Sequence, residues 1–239
     1  MKFKYLVFTL IIFSILSSCQ SGPKDNELTK AEKKEGWKLL FDGKTTNGWR
    51  GYNMDKIPSA WKATDGMLMS AGQGGDIGGD IITMDKYDNF DLKIEWKLAP
   101  EGNSGILYHV IEGEELHATY YSGPEYQIID DIGFPGGVGP YNSTGADYAM
   151  TPADTIQKVL NPIGEWNSSR IIFDNGNVEH YLNGKKIVQF TAWNDDWHEK
   201  VAKGKWKNFP AYGKAKTGYI GLQDHGSKIW FKNIKIKKL

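Results

Sequence analysis

The 239-residue chain balances 29 Lys and Arg against 29 Asp and Glu, which excludes the basic excess that nucleic acid or an anionic bilayer selects. It is long enough to bury a core without disulfides, and its single cysteine could supply none. Its 28 glycines, 9 tryptophans and 12 tyrosines point to a turn-rich, all-β chain with flat apolar surfaces suited to sugar-like ligands.

Lys2 and Lys4 precede an apolar run over 5–16, too short for the ~20 residues of a membrane span and the size of a signal-peptide core. The run ends Leu16-Ser17-Ser18-Cys19, similar to the bacterial lipobox, in which the cysteine becomes the lipidated first residue of the mature chain. An ordinary signal peptide with an incidental cysteine is the alternative. Residues 1–18 are then the signal, 19–35 a polar, flexible tether, and 36–239 one domain that no repeat or linker divides. Loss of Lys2 and Lys4 leaves 27 basic against 29 acidic groups, a formal charge of −2. A lipid on Cys19 consumes the only thiol, so the membrane is met through that anchor alone. Gln20 in place of Asp, by analogy with known lipoproteins, favours the outer membrane, with the domain in the periplasm or at the cell surface.

Beyond Trp37 the apolar residues recur at period two and predict strands over 38–41, 61–64, 67–70, 80–83, 91–98, 105–110, 125–130, 170–173, 177–182, 185–191, 218–223 and 229–236. In 91–98, Leu92, Ile94, Trp96 and Leu98 share one face while Asp91, Lys93, Glu95 and Lys97 share the other, the mark of a half-buried antiparallel strand. Asn175-Gly176 and Asn183-Gly184 supply the positive φ angles of type I′ hairpins and predict a three-stranded meander over 170–191. Short strands at this spacing suit a β-sandwich. Only 193–203 reads as a helix, with Trp193, Trp197 and Val201 along one stripe. Segments 110–124 and 132–162 are long, rich in Gly and Pro and aperiodic, which marks them as binding loops.

Several ordered motifs carry a resemblance. The domain opens on Trp37-Lys-Leu-Leu-Phe-Asp-Gly-Lys-Thr-Thr-Asn-Gly-Trp49 and closes on Ile220-Gly-Leu-Gln-Asp-His-Gly226 with Phe231-Lys-Asn-Ile-Lys-Ile236. Between them stand Asn103-Ser-Gly-Ile106, Gly123-Pro-Glu-Tyr-Gln-Ile-Ile-Asp130, Glu165-Trp-Asn167 and His180-Tyr-Leu-Asn-Gly184. Over 36–239 the chain resembles the 3-keto-disaccharide hydrolase family. The resemblance implies a concanavalin-A-like jelly-roll sandwich of two antiparallel sheets with the ligand on its concave face. It implies action on glycosides already oxidised at C3 by a separate glycoside 3-oxidoreductase. The reaction is 1,2-elimination to a 3-keto-2-hydroxyglucal and hydration of that glucal, which sum to hydrolysis. A C3 ketone acidifies the C2 proton, so the chemistry calls for a base, a group to hold the enolate oxygen and an acid for the leaving oxygen.

Candidates for those roles are His and carboxylates on neighbouring strands. Glu95 and Lys97 share a polar face that is either solvated or part of the cleft; the resemblance favours the cleft, with Lys97 where relatives carry Arg. Tyr108 and His109 are adjacent, so a regular strand sends them to opposite faces and only one reaches the ligand. His109 titrates in the right range for a base, although many relatives have Arg there. Glu125 and Gln127 share a face opposite Tyr126 and Ile128, the strongest candidate pair for acid–base work and sugar binding. Gln223 and His225 share another, and Asn103 opens its motif. The catalytic set is thus His109, Glu125, Glu95 and His225, and the substrate-binding set Lys97, Asn103, Tyr108, Gln127, Asp130 and Gln223. Asp130 and Asp131 either bind a divalent ion, the one cofactor the sequence leaves room for, or fix the loop behind them. His180, between Val178 and Leu182, reads as a hydrogen-bonded core residue, and His117 and His198 have no motif around them.

The glycine-rich stretch 72–79 lacks the Gly-Lys-Ser/Thr ending of a phosphate loop and reads as a hairpin or loop. Trp37, Trp61, Trp96 and Trp230 fall within strands and are mostly core; Trp49, Trp193 and Trp206, in loops or the helix, remain available to stack on sugar rings. Two other functions compete. A non-catalytic carbohydrate-binding lipoprotein would keep the aromatics and need no acid–base pair. A conventional glucanase on the same fold needs carboxylates ~5 to 5.5 Å apart, and the Glu-x-Asp-x-x-Glu strand of such enzymes is absent.

Overall fold

Period-two alternation becomes two antiparallel sheets whose apolar faces meet. In the computed structural model, residues 24–74 and 79–239 are described. The expected signal peptide, Cys19 and the middle of the glycine-rich stretch lie outside the described residues. The strands are β1 (Lys38–Leu39), β2 (Trp49–Gly51), β3 (Trp61–Thr64), β4 (Met67–Ser70), β5 (Ile81–Thr83), β6 (Phe90–Leu98) and β7 (Asn103–Val110). They continue as β8 (Glu125–Ile129), β9 (Asn167–Asp174), β10 (Asn177–Leu182), β11 (Lys185–Thr191), β12 (Tyr219–Leu222) and β13 (Ile229–Lys238). The larger sheet has the order β11-β10-β9-β6-β13-β4-β3, with β1 also paired to β13, and the smaller β2-β5-β12-β7-β8. This is the all-β, concanavalin-A-like sandwich that the motifs implied.

The hairpins follow from their turns. Asn175 and Gly176 sit at φ 48° and 85°, Asn183 and Gly184 at 46° and 79°, and β9, β10 and β11 form the expected meander. Strand β2, three residues long, was not among the expected strands. The helix α2 (Asp195–Lys203) starts later than its apolar stripe, because the Asn194 side chain caps the Trp197 amide at 2.8 Å. Trp193 stands outside the helix in the left-handed region, φ 65°.

The tether expectation fails for its described part. Thr29 and Glu32 form a capping box on the short helix α1 (Lys30–Lys34), and the segment is latched to β13. The Asn26 amide donates to Asn233 Oδ1 at 2.6 Å and the Asn233 amide to Asn26 Oδ1 at 2.9 Å. Lys232 pairs with Asp25 at 2.7 Å and Lys235 with Glu32 at 3.0 Å. Composition alone cannot foretell this, since the partners lie over 200 residues away on a strand irregularity where Asn233 takes φ 51°.

The core lies between the sheets, with Leu92, Ile94 and Trp96 facing Ile106, Tyr126 and Ile128. Past β8 the chain doubles back along it, the Tyr148 amide donating to the Glu125 carbonyl at 3.0 Å and the Gln127 amide to Ala146 O at 3.1 Å. Against that flank Trp197, Tyr212 and Trp206 stack nearly parallel, the last two 4.1 Å apart. Trp206 and Trp49 are therefore core residues and not sugar platforms. Among the strand tryptophans, Trp61 and Trp96 are core as expected, whereas Trp230 lies partly exposed against Lys97.

His180 is fully buried, its Nδ1 3.0 Å from Gly145 O and its Nε2 3.3 Å from the Tyr108 hydroxyl. Burial pushes its pKa down to about 4, against the bond to Gly145. An unfolded histidine titrates near 6.5, so the unfolded chain takes up the proton first. The neutral imidazole's contribution is complete above the unfolded value and is lost as pH falls toward 4, by roughly 3 kcal/mol. Urea midpoints of the wild type and His180→Gln at about pH 7.5 and about pH 4 should therefore show the wild type losing more stability. Equal losses would exclude His180 as the acid-sensitive group.

Candidate functional site

The outer face of the smaller sheet collects polar side chains that a solvated strand surface would leave in water. Glu125 and Gln127 on β8, Asn103 on β7 and Gln223 just past β12 are all buried, Glu125 to 3% exposure. Alternation places them there because Tyr126, Ile128, Ile106, Ile220 and Leu222 take the inner face. In register, Gly105 lies between Gln127 on one side and Gln223 on the other, and Asn103 stands opposite Ile129. Gly105 is the floor of the site. A Cβ there would stand 2.1 Å from Glu125 Oε1 and 2.8 Å from its Cδ, so only glycine lets the carboxylate lie flat across β7.

Around that carboxylate are amides. Gln127 Nε2 donates to Asn103 Oδ1 at 3.0 Å. The buried Oε1 of Gln223 finds no hydrogen-bond partner among the described residues, and an orphaned buried acceptor marks a place for a ligand's hydroxyl or a water. The set offers a carboxylate for proton transfer with amide groups to hold hydroxyl or keto oxygens beside it.

Two buried aspartates beside this row were missing from the expected residues. Asp80 accepts from the Thr119 hydroxyl and from the Asp224 amide, the latter at 3.0 Å. The Asp224 carboxylate accepts from the amides of Gly74 and Gly226, each at 3.0 Å, and so ties the glycine-rich segment to the end of β12. Close packing explains the glycines, since a Cβ on Gly79 would come within 3.0 Å of Asp224 Cβ. Sequence spacing could not flag this cluster, whose members come from three distant segments, 74–80, 119 and 224–226. Behind Glu125, Asp147 is fully buried with neither carboxylate oxygen hydrogen-bonded among the described residues. Burial drives its pKa well above the usual carboxylate range, with Lys200 pulling down and Glu125 pushing up.

Not every expected residue joins the site. Glu95 and Lys97 lie on the outer face of the larger sheet, on the far side of the sandwich. Asn233 Nδ2 donates to Glu95 Oε1 at 3.0 Å and Lys232 stands 3.6 Å away. Lys97 lies over Trp230 at 4.9 Å and Trp166 at 5.3 Å. Glu95 thus serves the docking of the N-terminal segment. The alternation did separate the faces; it could not say which sheet each strand would join.

Tyr108 and His109 break the alternation. Tyr219 pairs with Val110 and Gly221 with Leu107, so two residues of β7 oppose Ile220 alone in a β-bulge, with His109 at φ 53°. Both side chains turn into the core instead of parting. Tyr108 is fully buried against His180, and His109 is packed 4.3 Å from the Phe173 ring with Nε2 2.7 Å from Asp88 O. Burial lowers the His109 pKa, against the carbonyl bond. Neither side chain reaches the face that carries Glu125.

His225 follows Asp224 in the turn after β12 and is half-buried. The Asp130 carboxylate accepts the amides of Glu101 and Gly133 at 2.9 Å each and of Ile132 at 3.3 Å. Although burial raises its pKa, these bonds leave it lowered overall. Asp131 accepts the Thr144 amide at 2.8 Å and pairs with Lys158. Both aspartates fix the loop, as one of the two sequence readings held. No group of three or more His, Cys, Asp or Glu is assembled for a metal among the described residues.

Known proteins share this architecture and sequence. The profile of the 3-keto-alpha-glucoside-1,2-lyase-like domain matches residues 36–237. A Bacteroides thetaiotaomicron protein named 3-keto-disaccharide hydrolase is 36% identical over 231 residues, 86% of this chain and 79% of its own. The crystal structure of a candidate glycosyl hydrolase from Parabacteroides distasonis ATCC 8503 superposes with a TM-score of 0.85 at 44% identity, over 90% of this chain and 100% of that one. A second from the same organism gives 0.65 at 30% identity, over 85% and 99%.

Proposed function

The chain belongs to the 3-keto-alpha-glucoside-1,2-lyase-like family, and on that footing we propose that it cleaves glycosidic bonds of sugars already oxidised at C3, with Glu125 as the base. The observation that carries this reading is the Glu125 carboxylate, buried among Gln127, Asn103 and Gln223 over the bare backbone of Gly105.

Glu125 takes the proton from C2, which the neighbouring ketone has made acidic, and the C2 electrons form a C1=C2 double bond as the C1–O bond breaks. The leaving oxygen keeps the bond pair and gains a proton. Charge building on the C3 oxygen meets the amide N–H groups of the row, which are fixed before the reaction and need not reorganise. Hydration returns a hydroxyl to C1 and a hydrogen to C2, so the net change is hydrolysis. An oxidoreductase must supply the ketone. The name of the Bacteroides relative supports this substrate class.

The test is to incubate the domain with a 3-keto-glucoside and with its unoxidised parent. Turnover of the 3-keto sugar alone is expected; turnover of the parent alone would refute the proposal. For location, the sequence around Cys19 supports a lipid anchor in the bacterial outer membrane, on the periplasmic or surface side. A Cys19→Ser chain should then leave the membrane fraction, and its retention there would count against the anchor.

A further inference from the structure

The segment that runs back along β8 carries a second titratable side chain onto the Glu125 face. Tyr126 and Asp147 face each other across an antiparallel bridge, and both are fully buried. Paired residues point to the same side of a sheet, and the next pair along points to the other. That next pair is Glu125 and Tyr148, joined by the Tyr148 amide donating to the Glu125 carbonyl at 3.0 Å. The Tyr148 side chain therefore rises beside Glu125 on the outer face, the two Cα atoms about 5.5 Å apart.

Lys205 is set against this tyrosine. Trp206 Nε1 donates to the Tyr148 carbonyl at 3.3 Å, which holds the turn Lys205–Asn208 over the segment. Lys205 Nζ donates to the Tyr148 hydroxyl at 2.9 Å. It stands 4.1 Å from the centre of the Tyr148 ring, 4.9 Å from that of Trp206 and 5.9 Å from that of Tyr120. Tyr120 packs on the cluster that contains Leu107, and Leu107 is the residue opposite Glu125 on β7. The ammonium thus spans two rings that flank the carboxylate from either side. An ammonium has donors only, so the Tyr148 oxygen accepts from Lys205 and its own O–H is directed elsewhere. Tyr148 is half-buried and Lys205 exposed, which leaves the pair open to a ligand.

We propose that Tyr148 is the acid of the elimination, with Lys205 as the positioning residue behind its oxygen. The proposal rests on the reading of Glu125 as the base. C1 and C2 are bonded neighbours, so the groups that serve them must stand side by side on one face. As the C1–O bond breaks, the Tyr148 proton passes to the glycosidic oxygen, and Lys205 hydrogen-bonds the phenolate left behind. Hydration runs the two groups in reverse. The phenolate takes a proton from the water that adds to C1, and Glu125 returns its proton to C2. Both side chains end as they began, and no outside proton donor is needed.

An acid matters only for a leaving group that needs a proton. The experiment compares methyl 3-keto-glucoside, whose methoxide leaves poorly, with 4-nitrophenyl 3-keto-glucoside, whose nitrophenolate leaves unaided. Tyr148→Phe keeps the ring on Trp206 and should lower kcat/KM on the methyl glycoside by about 100-fold or more, a loss about tenfold or more greater than on the nitrophenyl one. Lys205→Met should show the same selectivity with a smaller loss. Its position is exposed, so it carries the comparison should Tyr148→Phe not fold. Glu125→Gln should lose both substrates alike. No loss in the Tyr148 and Lys205 variants, or equal losses on the two substrates, would overturn the assignment of the acid and leave Glu125 as the base. Should Glu125→Gln keep wild-type turnover, the base reading would fall, while selective loss in Tyr148→Phe would still mark Tyr148 as the acid.

Discussion

Glu125→Gln is expected to lower kcat/KM on a 3-keto-glucoside by about 10²- to 10⁴-fold, the usual contribution of a positioned general base. Glutamine fills the same volume over Gly105 and keeps hydrogen-bonding atoms in the amide row, so the fold should persist. An amide cannot accept the C2 proton at neutral pH. The loss should appear in kcat with little change in KM, since the interaction removed matters only in the transition state. Gly105→Ala is the companion experiment. The added Cβ would stand 2.1 Å from Glu125 Oε1, so it must push the carboxylate aside while leaving its chemistry intact. Activity should fall there too, with a smaller cost in stability, because the displaced atom ends a side chain. Wild-type rates in Glu125→Gln would remove Glu125 from the reaction.

The largest expected effect on stability comes from Gly218→Ala. Gly218 bridges to Tyr87 through bonds of 2.8 and 3.0 Å, and a Cβ on it would lie 2.3 Å from His109 C, 2.6 Å from His109 Cα and 2.6 Å from Val110 O. All three are backbone atoms of the β7 bulge, and none can rotate away. The bulge or the bridge must open, which should cost about 3 kcal/mol or more. For a domain of this size the melting temperature should drop by roughly 6 to 12 °C. Gly113→Ala is the control. Its Cβ would meet nothing closer than 3.7 Å, and it should melt within a degree or two of the wild type. Equal melting of the two variants would mean that the close approach at Gly218 is not a constraint.

What the sequence revealed depended on whether the information was local. The faces of 91–98 and the meander over 170–191 were legible because alternation and Asn-Gly turns act within a few residues. The polar row was legible in part for the same reason. Glu125 with Gln127 follows from one strand, and Gln223 from the parity of another. Beside the Asp80–Asp224 cluster, three things were not legible because they depend on distant partners. Glu95 and Glu125 both stand on polar strand faces, and nothing local assigns them to different sheets. The β7 bulge inverts the orientation of His109, and its only trace in the sequence is a glycine more than 100 residues later. The docked segment 24–35 looks like a linker until Asn233 and Lys235 are placed beside it.

The order of the larger sheet bears on when the domain can form. Among the described residues, the β3–β4 hairpin and the four strands β6, β9, β10 and β11 are hydrogen-bonded into one sheet only through β13, which also supplies the one strand partner of β1. Until Ile229–Lys238 is available the sheet exists as two unconnected halves, and its first and last strands must close a loop of nearly the whole domain. Such non-local closure makes folding slow relative to a meander of the same size. A growing chain therefore has no intermediate length at which the sandwich is complete, and the final strand acts as the commit step.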